Sequence, residues 1–193
     1  TACAWTNLQI TGYTQNLWKS FIFDYLGVSL RIMRHINSVL DGMIAWAEID
    51  LDAIAWNVQA IRQFIGEGIE IFAVVKANAY GHGDIIIADE AARCGIEYLA
   101  IARIEEGLKL RQHNIKLPII DLGVEFHGNI RSAIENNNEL SASSMEYVSE
   151  LEKSAKKNKT VIPVHLKVDT GMRRLGCALD SAEEIAEYIS ASK

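Results

Sequence analysis

An α/β fold, with parallel strands alternating with helices, is what this sequence predicts. Three observations carry the prediction. Strand-like and helix-like patterns alternate from Met43 onward, the signature of repeated βα units. The strand-like runs, such as Ile71-Phe-Ala-Val-Val75 and Tyr98-Leu-Ala-Ile-Ala102, are nearly all apolar, as in strands covered on both faces. With 193 residues, 49% of them hydrophobic, 23% charged and only two prolines, the chain has ample material for one core and is neither disordered nor membrane-like in composition.

The first forty or so residues stand apart. Residues 1–42 hold three basic and two acidic side chains, leaving nearly all of the acidity to the remainder. Leu17 to Leu40 is apolar enough for a helix, yet Lys19, Asp24, Arg31 and Arg34 interrupt it, so it lacks the run of about 18 apolar residues that spans a membrane. Thr1 to Thr14 does not supply the basic start, unbroken apolar stretch and small-residue cleavage site of a signal peptide. We read residues 1–42 as an N-terminal extension outside the fold, Met43 as the native start, and residues 43–193 as the folded part.

The elements follow in order. Trp46-Ala-Glu-Ile-Asp-Leu-Asp52 alternates strictly, which predicts a half-exposed strand with Glu48, Asp50 and Asp52 on one face; a solvated face explains these acids better than a metal or acid/base site. Ile54, Val58, Ile61 and Ile65 recur at helical spacing, ended by Gly66 and Gly68. Strands are expected at 70–76, 98–102, 117–123, 139–143 and 161–168, with helices over 85–93, 104–112 and 129–135. Ser143 with Glu146 and Ser181 with Glu184 have capping-box spacing and predict two further helix starts. In the first of these helices Glu146 and Glu150 precede Lys153, Lys156 and Lys157, the order that complements a helix dipole, so the lysine cluster reads as a helix end and not an anion site.

Two segments carry chemistry. Lys76 ends the first buried strand and opens Lys76-Ala-Asn-Ala-Tyr-Gly-His-Gly83. The C-terminal ends of parallel strands are where active sites lie, and desolvation there favours the neutral amine that can attack an aldehyde, as in Schiff-base lysines. A lone lysine ending an apolar run would more often be a snorkelling side chain. The second segment is Val161-Ile-Pro-Val-His-Leu-Lys-Val-Asp-Thr-Gly-Met-Arg-Arg-Leu-Gly176. Its alternation places His165, Lys167 and Asp169 on one strand face and Leu166 and Val168 on the other. A charged face in a layer normally filled by branched apolar side chains must be paired or functional.

Other signals fail. Gly81-His-Gly83 lacks the third glycine of a dinucleotide fingerprint, because Ile86 stands there, and no P-loop occurs. The five histidines show no HExxH or paired metal spacing. Cys3, Cys94 and Cys177 are widely spaced and form no CxxC pair, so neither a disulfide framework nor zinc is expected and a reducing cytoplasm is the natural location. The net charge of −6, without a basic stripe, gives nucleic-acid binding little support and favours a small-molecule partner.

Lys76 to Gly83 resembles the pyridoxal-phosphate attachment motif of alanine racemases, and Ala45-Trp-Ala-Glu-Ile-Asp-Leu-Asp-Ala-Ile54 resembles the start of that family. The resemblance implies that Lys76 carries pyridoxal 5'-phosphate and acts as one of two acid/base groups, and that Tyr80 hydrogen-bonds the cofactor phosphate. Val161 to Gly176 is similar to the family segment in which a strand lysine is carbamylated and orients an arginine. By position, Lys167 takes that carbamylation role, Arg174 lies near the cofactor oxygen and substrate carboxylate, and Met172 contacts substrate through its backbone. The family usually has glycine where Arg173 stands.

The resemblance also implies a (β/α)8 TIM-type barrel followed by a C-terminal β domain. An eight-stranded barrel needs about 250 residues, so the five expected strands make a partial barrel, its first half only, with the β domain absent. In the family, a tyrosine from the partner subunit's β domain is the second base, and an arginine lying beyond the matched region holds the pyridine nitrogen. The expected activity is interconversion of L- and D-alanine in a homodimer, supplying D-alanine for peptidoglycan, with the 193-residue chain inactive alone. A non-catalytic pyridoxal-phosphate-binding protein of the homeostasis type and an inactive remnant stand as alternatives, and serine or lysine racemases share the lysine motif.

Overall fold

The computed structural model describes residues 47–123 and 129–192. The chain divides into two units, Thr1–Asp50 and Leu51–Lys193. The expectations for residues 1–42, including the Leu17–Leu40 helix and a start at Met43, lie outside the described residues.

The second unit opens with helix α1 (Leu51–Ile65), which buries Ile54 and Val58 and carries Asp52 in its first turn. Residues 47–50 form no regular element and Leu51–Asp52 begin the helix, so the strand expected over 46–52 is not found in its described part. Leu51, Ile54 and Val58 share one helical face, and an acid in the first turn favours the helix N-terminus. That longer pattern outweighs a two-residue alternation seven residues long.

Five parallel strands follow, β1 (Phe72–Val74), β2 (Tyr98–Ile101), β3 (Ile119–Asp121), β4 (Asn138–Ala142) and β5 (Val164–Leu166), in the sheet order β1-β2-β3-β4-β5. Between them run α2 (Asp84–Arg93), α3 (Ile104–Gln112), α4 (Ile130–Glu135) and α5 (Met145–Asn158), and α6 (Leu179–Ala191) follows β5. Each strand pairs with its sequence neighbour, for example Phe72 with Tyr98 and Leu140 with Val164. Consecutive pairing of parallel strands through helical crossovers is the βα repeat the alternation predicts. All five strands fall inside the expected ranges but for Asn138, which extends β4 by one residue.

The sheet's two faces differ. Ala73, Val75, Leu99, Ile101, Ile119, Leu140 and Ala142 are buried and alternate with a second set comprising Phe72, Val74, Tyr98, Ala100, Ile120, Glu139, Ser141, His165 and Lys167. The first set faces the helices. A continuous cluster joins Leu140 and Ala142 to Ile104, Ile130, Tyr147, Leu151 and Ile185, with Leu166 and Val168 packed against it. Each such Leu or Ile contributes roughly 1.5–3 kcal/mol relative to an exposed position. On the second face Phe72 and Tyr98 stack at 4.4 Å between ring centroids, and His165 Nε2 lies 2.6 Å from Glu139 Oε2. The expected split of His165 and Lys167 from Leu166 and Val168 is therefore present, and the His165 ring is paired with Glu139.

The two capping expectations shift. Ser144, not Ser143, caps α5, its hydroxyl accepting the Tyr147 N–H at 3.2 Å; of two adjacent serines, Ser144 has the extended backbone a cap requires. Helix α6 starts after an extended Ala178 with no side-chain cap, and Ser181 already lies in its first turn, donating its N–H to Ala178 O. The lysine cluster does end a helix, with Lys159 in the left-handed conformation that closes α5. Among the described residues no helix is long and apolar enough to cross a membrane.

Candidate active site

Lys76 follows β1 directly and begins a turn of unusual hand. Ala77, Asn78 and Ala79 have φ/ψ of 52/48°, 57/43° and 51/47°, and Tyr80 has φ 55°. Four consecutive non-glycine residues are thus left-handed, a conformation that disfavours a Cβ by roughly 1–2 kcal/mol per residue; only asparagine tolerates it well. Such strain persists where surrounding contacts over-determine it. Here Asn78 O accepts the N–H groups of Gly81 and Gly83, and Ala79 N donates to Val75 O at 2.8 Å. Asn78 Oδ1 accepts the Asp84 N–H at 3.2 Å. Glu106 of α3 accepts the Ala77 N–H at 2.6 Å and the Ala102 N–H at 2.9 Å. Asp84 itself is buried and receives Lys109 Nζ at 2.7 and 2.9 Å.

The turn presents Lys76 beside Tyr80, with Nζ 5.9 Å from the ring centroid. Tyr80 is exposed, and His82 closes the turn, its Nδ1 lying 2.9 Å from Ala79 O.

Lys167 extends past β5 on the same sheet face and donates from Nζ to Leu122 O at 2.6 Å. Desolvation holds its ammonium below the ordinary 10.5; the charges of Arg174 and Lys76 lower it further, and Asp121 opposes them. The fields of both cations therefore reach Lys167. Asp121, at the end of β3, is fully buried, and its Oδ1 accepts the Gly123 N–H at 2.8 Å.

Arg174 and Met172 lie on the exposed turn that follows Lys167. Asp169 Oδ1 organises it by accepting the N–H groups of Gly171 and Arg173 at 2.8 and 2.9 Å, and these bonds hold its carboxyl below the usual 3.8. The turn closes where Cys177 N donates to Lys167 O and Asp169 N to Cys177 O. Gly176 permits this, because a Cβ there would sit 2.6 Å from Asp169 N and 2.7 Å from Val168 C, at φ +117°. Arg173 has φ 53°, so the position where the resembling family has glycine is one that favours glycine. Met172 is 78% exposed.

The structure thus brings Lys76, Tyr80, Lys167 and Arg174 to the C-terminal ends of the strands, with Met172 on the adjoining turn. Sequence reasoning missed Glu106 and Asp121. Glu106 stands three residues after Arg103, not after a serine or threonine, so no capping signal marked it. Asp121 was legible as the one acid within the apolar run Leu117–Leu122.

Residues 49–193 match the family model for the alanine racemase N-terminal domain. Among curated relatives, alanine racemase 1 of Bacillus subtilis is 44% identical over 145 residues, covering 75% of this chain and 36% of its own. The alanine racemase of Geobacillus kaustophilus is 45% identical over 131 residues, covering 68% and 34%. The solved alanine racemase of Clostridium difficile superimposes with a TM-score of 0.74 at 34% identity, over 77% of this chain and 39% of that one. A histidine racemase from Leuconostoc mesenteroides superimposes at 0.68 with 28% identity, over 74% and 38%. The chain spans well under half the length of each of these relatives. The parallel βα sheet with a lysine after its first strand agrees with the match, and the chain belongs to the alanine racemase family, as its N-terminal domain.

Proposed function

We propose that this chain is the barrel portion of a pyridoxal-phosphate-dependent isomerase that interconverts L- and D-alanine. The observation that carries the reading is that Lys76 follows the C-terminal end of β1 while Lys167 and Arg174 follow that of β5, with the Tyr80 ring centroid 5.9 Å from Lys76 Nζ. Basic side chains at the strand ends suit an anionic ligand, and the Lys76 amine among them suits an aldehyde. That donor set fits pyridoxal 5'-phosphate, with Lys76 as the attachment point and Tyr80 as a phosphate contact. When bound, the cofactor supplies an electron sink for the charge left at Cα when its proton departs.

The residues of the chain have separable tasks. The Lys76 amine takes or returns the Cα proton on one face of the amino acid. Lys167, with its ammonium destabilised by burial, adds as a neutral amine to the carbon of CO2 and loses a proton, leaving a carbamate. That anion holds the Arg174 guanidinium in a bidentate pair and aims it at the substrate carboxylate, while the Met172 backbone adds a further contact. Proton transfer on the opposite face requires a second group, which in this reading comes from a partner subunit of a homodimer. Alanine as substrate rests on the relatives' names; D-alanine for peptidoglycan rests on the family resemblance, and a cytoplasmic location on the widely spaced cysteines.

The test is borohydride reduction of the native protein with pyridoxal phosphate, followed by peptide mapping, beside a chiral assay of alanine. A reduced adduct on Lys76 that disappears in Lys76→Ala, together with racemisation by the intact protein, is expected. Cofactor uptake without racemisation of any amino acid by the intact dimer would turn the reading to a non-catalytic cofactor-binding protein.

A further inference from the structure

The cofactor lysine is followed by a strained turn that nothing in its own sequence stabilises fully. Ala77 and Ala79 gain nothing from left-handed backbone, and the internal bonds of the turn are those from Gly81, His82 and Gly83 N–H to Ala77 O, Asn78 O and Ala79 O and from Ala79 N–H to Val75 O. The remaining restraint comes from α3. Glu106 and Lys109, one helical turn apart and so on one face of α3, reach the two ends of the segment. Glu106 Oε1 accepts the N–H of Ala77, the residue bonded to Lys76, while its Oε2 accepts the N–H of Ala102 at the end of β2. Lys109 binds Asp84, whose N–H is held by Asn78.

We propose that Glu106 is a positioning residue, whose carboxylate staples the turn carrying Lys76 to the end of β2 and so sets the Lys76 amine for cofactor attachment. Resting on the reading of Lys76 as the cofactor lysine, the proposal adds a residue that touches neither cofactor nor substrate. Two backbone donors need two acceptor oxygens, and a carboxylate supplies both. An amide supplies one and turns an N–H toward the other donor, so the isosteric Glu106→Gln breaks the staple without opening a cavity.

A control separates positioning from mere stability. Glu97 is also a half-buried carboxylate with two ties, accepting Arg62 at 2.6 Å and the Ile71 N–H at 2.8 Å, but it lies at the opposite, N-terminal end of β2. In the intact native protein, E106Q is expected to weaken pyridoxal-phosphate binding, read from the absorbance of the bound cofactor, by about tenfold, the scale of one charge-assisted hydrogen bond. It is also expected to speed amide exchange across residues 77–83 before any cofactor is added. E97Q is expected to lower the urea midpoint about as far as E106Q lowers it, while leaving cofactor affinity within about twofold.

Unchanged affinity and exchange in E106Q, or affinity losses that merely follow the urea midpoint in both variants, would overturn the proposal and leave the Lys76 reading intact. Wild-type protein that takes up no cofactor at Lys76 would overturn both.

Discussion

Two glycines on the turn that carries Met172 and Arg174 allow backbone strain and steric overlap to be measured apart. Gly171 and Gly176 have φ of +126° and +117°, conformations that side chains rarely adopt, yet their surroundings differ. A Cβ on Gly171 meets nothing within 4 Å, whereas one on Gly176 meets Asp169 N at 2.6 Å and Val168 C at 2.7 Å. Gly171→Ala therefore carries only the conformational cost, about 1–3 kcal/mol. Gly176→Ala carries the same cost plus an overlap with backbone that no rotamer relieves, about 1–3 kcal/mol more.

With a urea slope of about 2 kcal/mol/M, the difference between the two variants amounts to roughly 0.5–1.5 M in the unfolding midpoint. Urea titration followed by circular dichroism reads it. Displacement at Gly176 also moves the closure between Lys167 and Cys177, so Gly176→Ala is expected to lose affinity for an alanine-like carboxylate more than Gly171→Ala does. Equal midpoints for the two variants would refute the reasoning, since they would mean that the backbone around Gly176 yields without cost.

Two further outcomes follow from single side chains. Arg173 is left-handed at φ 53° while its N–H is held by Asp169; Arg173→Gly relieves about 1–2 kcal/mol of strain against roughly 0.5–1 kcal/mol of added chain entropy, so it should raise the urea midpoint slightly where Arg173→Ala does not, and a fall in both would contradict the assignment. Glu152 is held at about 2, below its ordinary 4.5, by Lys156, then by the hydroxyls of Tyr188 and Ser192. The unfolded chain therefore binds the proton first on acidification, and the stability Glu152 contributes is complete above about 4.5 and lost as pH falls through about 2. Glu152→Gln should flatten the acid-unfolding curve across that window, and parallel curves for variant and wild type would count against it.

The sequence by itself determined the βα repeat, the five strands and the family. Near-continuous apolar runs such as Ile71–Val75, alternating with helical patterns, fit a parallel sheet covered on both faces, and the eight-residue motif that opens at Lys76 is too long to arise from strand ending alone. It also placed Lys167 and Leu166 on opposite faces, because strand periodicity is two and admits no other arrangement. Where competing local patterns overlapped, tertiary packing decided. Leu51 and Asp52 fit an alternating strand and an amphipathic helix equally well over a few residues, and burial of Ile54 and Val58 selected the helix.

The cap of α5 fell to Ser144 and not its neighbour because only the backbone entering the helix distinguishes two adjacent serines. The site depended on tertiary structure most. The left-handed turn at Ala77–Tyr80 runs against the preference of its own residues, and Glu106 reaches it from 29 positions away. That Lys167 feels the charges of Lys76 and Arg174 follows from parallel strands ending at one edge of one sheet. Hydrogen bonds and charge contacts between distant segments leave no periodic trace in a chain, since their partners become neighbours only when the strands align.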